Sequence, residues 1–99
     1  MAEVAALTVV DVQNDFLPGG ALGVLEGDEI VPVLNGYLGR VHEAGLTIYA
    51  TRDWHPEVTH HFLQYGGLWP PHCIQGTNGA AFSQGLRLPP ETIVVSKGM

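Results

Sequence analysis

Leu7-Thr8-Val9-Val10-Asp11 reads as a short β-strand closed by an acid. The run is apolar and β-branched without alternation, the pattern of a strand buried on both faces of a parallel sheet. Working outward, Ile30, Val33, Leu34, Tyr37, Leu38 and Val41 recur at helical spacing, with Asp28 as the N-cap and Gly45 as the stop. Pro32 is compatible only with the first turn of that helix. Leu46–Ala50 then reads as a second buried strand that runs into Thr51-Arg52-Asp53, and Thr92–Val95 as a third that runs into Ser96-Lys97. Strand, helix and strand in that order imply a right-handed parallel unit and hence an α/β layering.

Ninety-nine residues allow one domain and one sheet. With 45% hydrophobic and 14% charged residues the chain is neither disordered nor of low complexity. A net charge of −6, with only Arg40, Arg52, Arg87 and Lys97 as fixed cations, offers no basic stripe and argues against nucleic acid as a partner. The apolar run Val4–Val10 has no basic residue before it and is too short to span a bilayer, so a cytoplasmic protein without a membrane partner is expected. The single cysteine, Cys73, agrees with a reducing compartment.

In a parallel sheet, ligands bind beyond the carboxyl ends of the strands. Those ends carry Asp11, Asp53 and Lys97, the last being the only lysine. An aspartate and a lysine meeting in one cleft perturb each other's protonation and can prepare a base. About forty residues, Arg52 to Glu91, separate the second and third strands, with a short turn expected at Leu86–Leu88. A loop of that length is usually functional.

That loop contains Asp53, His55, His61 and His72, one carboxylate and three imidazoles in a chain with five histidines. Asp53 and His55 are two apart, so on an extended backbone they share a face, with Cα atoms roughly 7 Å apart. Pro56 pushes His55 into extended geometry, and Trp69-Pro70-Pro71 forms a stiff arm that delivers His72. One carboxylate with neutral imidazoles suits zinc, iron or manganese better than calcium or magnesium. His60 competes with His61 for one ligand position.

The segments Val9-Val10-Asp11-Val12-Gln13-Asn14-Asp15-Phe16, Thr51-Arg52-Asp53-Trp54-His55 and Trp69-Pro70-Pro71-His72-Cys73, with Gly76-Thr77 and Gly79-Ala80, resemble the nicotinamidase/pyrazinamidase branch of the isochorismatase-like cysteine hydrolases. The resemblance runs from about Leu7 to Gly98. It implies a three-layer α-β-α fold on a parallel sheet, of which residues 1–99 would be the N-terminal part of one domain, about half of the whole. By that resemblance Asp11 is the general base and Lys97 the cation beside it. Asp53, His55, His61 and His72 hold one divalent transition metal, while Phe16 and Trp69 wall a pyridine ring. The implied reaction is hydrolysis of nicotinamide to nicotinate and ammonia, a step of NAD salvage, through a thioester on a cysteine.

In the family the nucleophilic cysteine follows the lysine-bearing strand, so it is expected outside these 99 residues. Cys73 follows a proposed ligand, and neighbouring side chains of an extended segment point opposite ways, so it is expected to be a small buried residue away from Asp11 and Lys97. The chain alone is then expected to be inactive, and to self-associate or be completed by a C-terminal half. A non-catalytic metal-binding fragment or subunit is the competing reading. A related isochorismatase is disfavoured because those enzymes are similar in fold yet work without this metal set.

Overall fold

The computed structural model describes residues 5–99, so Val4, the first residue of the apolar run before Asp11, lies outside them. Three strands, β1 (Ala6–Val10), β2 (Thr47–Asp53) and β3 (Ile93–Lys97), form a parallel sheet in the order β1-β2-β3. Helix α1 (Ile30–Glu43) connects β1 to β2. The register sets Val9 against Ala50, Ala50 against Val94, and Asp53 against Lys97. The last pairing brings two of the three strand-end residues side by side.

The core lies between the sheet and α1. Val9, Ile48 and Ala50 from the strands meet Val31, Leu38 and Val41 from the helix, with Leu7, Leu34 and Leu46 packed around them. Burying a side chain such as Leu38 contributes about 1.5–3 kcal/mol, and its 1% exposure makes it the best sealed residue of the helix. The helix stops where the sequence predicts. Gly45 adopts φ +71°, its N–H bonds His42 O, and the Leu46 N–H bonds Val41 O, a left-handed terminus that favours glycine.

Three expectations need correction. Asp28 is not the N-cap: it lies in a 3-10 turn, Gly27–Glu29, whose carbonyls take the Ile30 N–H, and Glu29 occupies the cap position without a side-chain bond. The strands are not buried on both faces. Val10, Ile93, Val95 and Tyr49 stand 62, 46, 44 and 36% exposed, because among the described residues α1 covers one face only. The turn expected at Leu86–Leu88 falls instead at Gln84-Gly85, closed by Leu86 N–H to Ser83 O at 3.0 Å.

The long β2–β3 connection is internally braced. His55 N–H donates to Cys73 O at 2.9 Å and Gln75 N–H to His55 O at 2.8 Å, so the two proline-stiffened segments pair in parallel as His55 with Ile74. Phe62 and Trp69 form a second bridge. Among the described residues, no helix is long and apolar enough to cross a membrane.

Candidate active site

Alternation along β2 turns Tyr49, Thr51 and Asp53 to the open face of the sheet, and β3 turns Val95 and Lys97 the same way. At the end of β1 the chain leaves the strand abruptly, with Asp11 at φ +53°, a left-handed conformation that costs a non-glycine residue about 1–2 kcal/mol. Its N–H still donates to Thr51 O at 3.1 Å. Its carboxylate accepts the Thr51 hydroxyl on Oδ1 at 2.8 Å and the Lys97 ammonium on Oδ2 at 2.7 Å.

Lys97 Nζ also donates to Asp53 Oδ1 at 2.6 Å, so one ammonium bridges the two carboxylates. Partial burial works against its charge, but the hydrogen bonds and negative charges of Asp11 and Asp53 outweigh that and hold its pKa above the usual 10.5. The structure therefore unites Asp11, Lys97 and Asp53, which the sequence places 86 and 44 residues apart in the two bonds.

The other oxygen of Asp53 faces two imidazoles. Oδ2 lies 3.7 Å from His55 Nε2 and 3.9 Å from His72 Nε2, and one donor atom from each of the three residues lies within 4.8 Å of the others. His55 Nδ1 donates to Gly98 O and His72 Nδ1 to Pro70 O, both at 2.8 Å. A carbonyl oxygen only accepts, so each Nδ1 carries a proton, and in a neutral ring the Nε2 lone pair is the one turned toward Asp53. Bonds of 2.0–2.1 Å to a tetrahedral ion would set neighbouring ligand atoms about 3.4 Å apart. The group, with donor atoms up to 4.8 Å apart, is wider than that; by donor type it suits a borderline divalent metal.

The remaining proposed residues surround this centre. The His61 ring is exposed and stands 5.3 Å from that of His55, outside the three-membered group. His60 is exposed beside it. The Phe16 ring is 5.8 Å from His72, and Trp69, 52% exposed, uses its backbone to hold His61 O and the Leu63 N–H.

Cys73 is fully buried, as expected, yet it is not extended: its φ is +47°. It lies within the electrostatic reach of Asp15, Asp53, Asp11 and Lys97, and burial, followed by the three carboxylates, pushes its pKa up to about 12 against a weaker opposing pull from Lys97.

Several contributors escape the sequence reading. Phe62, wholly buried, packs edge-to-face with His55 and His72, ring centroids 5.5 and 5.6 Å apart. Asp15 Oδ2 accepts the Cys73 N–H at 2.8 Å and so holds the turn after His72. Gly98, at φ +74°, runs so close to His55 that a Cβ there would meet the ring carbon Cε1 at 2.6 Å. A backbone carbonyl that orients a ligand carries no sequence signal, but the polar residues of Asp11–Phe16, clustered beyond a strand end, were a legible one.

Residues 5–99 match the isochorismatase domain. The chain is 41% identical over 109 aligned residues to the nicotinamidase of Acinetobacter baylyi, covering 94% of this chain and 49% of the relative. It is 40% identical over 84 residues to the nicotinamidase/pyrazinamidase of Mycobacterium tuberculosis, covering 82% and 45%. Among solved structures, the pyrazinamidase of Pyrococcus horikoshii in complex with zinc superposes with a TM-score of 0.89 at 52% identity, covering 93% of this chain and 50% of that one. PnC1 from L. infantum in complex with nicotinate gives 0.83 at 39% identity, covering 94% and 46%. The chain thus spans about half the length of the relatives it matches.

Proposed function

The chain belongs to the isochorismatase domain family, and from that membership we propose that it is the N-terminal part of a nicotinamidase-type amidohydrolase, acting on nicotinamide or a related pyridine carboxamide in NAD salvage. The observation that carries the proposal is the hydrogen-bonded line Asp11–Lys97–Asp53, whose far oxygen faces the Nε2 atoms of His55 and His72. It joins a base, a cation and a metal-binding corner on the open face at the strand ends.

Asp11 serves as the general base, its carboxylate aimed by Thr51 and Lys97. It takes the proton of an attacking thiol, and the Lys97 ammonium stabilises the thiolate. Attack on the carboxamide carbon expels ammonia and leaves a thioester, which water cleaves to nicotinate. Asp53, His55 and His72, with His61 at the margin, would hold one divalent transition metal. When bound, it would orient the pyridine ring through the ring nitrogen. Phe16 and Trp69 flank that ring. Cys73, the only cysteine of the chain, is fully buried, with its pKa pushed up to about 12, and is not the group to which we assign the attack.

The same fact favours a second reading, a metal-binding module that does no chemistry by itself. Ammonia release from nicotinamide separates them. We expect none above background from residues 1–99, and turnover that depends on Asp11 once the second half of a relative is fused or added in trans. If the completed protein stays inactive while binding metal, the module reading stands. Turnover by the short chain that survives Cys73→Ala would overturn the cysteine mechanism.

A further inference from the structure

We propose that Gln13 is a positioning residue that stands in for a missing stretch of β1 and locks Asp53 in place. In a parallel ladder, the residue after Val10 would bond its N–H to Thr51 and its carbonyl to the Asp53 N–H. Asp11 makes the first bond. Its left-handed backbone prevents the second and turns its carbonyl to the Gln13 N–H at 2.9 Å. The N–H and C=O of Asp53 are left without a backbone partner on the β1 side.

The Gln13 side chain takes both. Oε1 accepts the Asp53 N–H at 2.9 Å, and Nε2 donates to Asp53 O at 2.8 Å. The second Nε2 hydrogen goes to Ala80 O, also at 2.8 Å. A primary amide reproduces the donor and acceptor of a peptide unit, and here it is fully buried with its polar atoms satisfied. On the opposite edge Trp54 N–H donates to Lys97 O at 2.8 Å, so the end of β2 is held from both sides. The break in β1 frees Asp11 to face Lys97, and Gln13 keeps that break from loosening Asp53, whose two oxygens serve Lys97 and the histidines.

The inference rests on the metal-site reading above, and two measurements keep the two apart. Zinc affinity of the chain, by competition with a chromophoric chelator, is compared for wild type, Gln13→Met and Val41→Ala, a core change with no contact to the site. We expect Gln13→Met to lower affinity about 10–100-fold and Val41→Ala, even at a matched loss of stability, less than about threefold. Equal losses would overturn the inference. Amide hydrogen exchange at Asp53 is the second readout. In wild type the Asp53 N–H is protected like that of Thr51, and in Gln13→Met its exchange accelerates at least about tenfold more than that of Thr51. An unprotected Asp53 amide in wild type would also overturn it, and decides the matter if Gln13→Met does not fold. Wild type without zinc affinity would fell the metal-site reading, leaving exchange to decide the role of Gln13.

Discussion

Lys97 Nζ lies 2.6 Å from Asp53 Oδ1, which ties the lysine at the end of β3 to the carboxylate that faces His55 and His72. Because the same ammonium holds Asp11, a change at the carboxylate of Asp53 reaches that of Asp11 through a single nitrogen. The folded pKa of Lys97 is raised above 10.5. Its contribution to stability is therefore fully present below pH 10.5 and is lost as pH rises through the higher folded value. Urea unfolding of wild type and Lys97→Met should differ by a constant amount from about pH 7 to 10, and the two should converge above it. A gap that widens with pH would contradict the pairing.

His72→Ala should lower zinc affinity by about two orders of magnitude or more, and His60→Ala by less than about threefold. Wild-type affinity should fall on acidification, since a protonated imidazole has no lone pair to give. Metal content after dialysis, read across both variants and pH, checks the ligand set. Equal retention by both variants would remove His72 from it.

Cys73 should resist alkylation. With its pKa pushed up to about 12, the folded thiol should react with iodoacetamide at pH 8 at least about a hundredfold more slowly than in urea, as read by mass spectrometry. A neutral buried thiol also favours the fold below pH 9, and that advantage is lost as pH rises from 9 toward 12. Rapid labelling of the folded chain would show that the sulfur is free to act as a nucleophile.

The open sheet face should drive association. Val10, Tyr49, Ile93 and Val95 are all partly bare on it, and a bare apolar face beside an edge strand promotes pairing. We expect concentration-dependent dimers or larger species in sedimentation, and a shift toward monomer in Val10→Lys/Ile93→Lys. A monomer of 10.6 kDa with a sharp, concentration-independent thermal transition would contradict this.

Strand positions, helix extent and the gathering of Asp11, Asp53 and Lys97 at one end of the sheet were legible in the sequence, because they follow from periodicity and from the rule that strand ends carry function. The proline steps likewise foretold that His55 and His72 would reach Asp53. Burial of the strands was misjudged because a run such as Leu7–Val10 shows only that both faces are apolar, and not which has a cover. Asp28 failed as a cap because the 3-10 turn ahead of α1 already satisfies the Ile30 amide. The left-handed conformations of Asp11 and Cys73 were not legible: aspartate visits that region only occasionally and cysteine rarely, and neither carries a local signal for it.

The pairing of His55 with Cys73 and Gln75 divides the long excursion between β2 and β3 into two closed circuits, residues 56–72 and 76–92, that meet at the ligands. Loop-closure entropy grows only slowly with length, so either circuit can gain or lose residues at an exposed tip such as Val58 or Gln84 while the knot at His55 stays put. Variation in the length of either circuit is thereby decoupled from the geometry around His55 and Asp53.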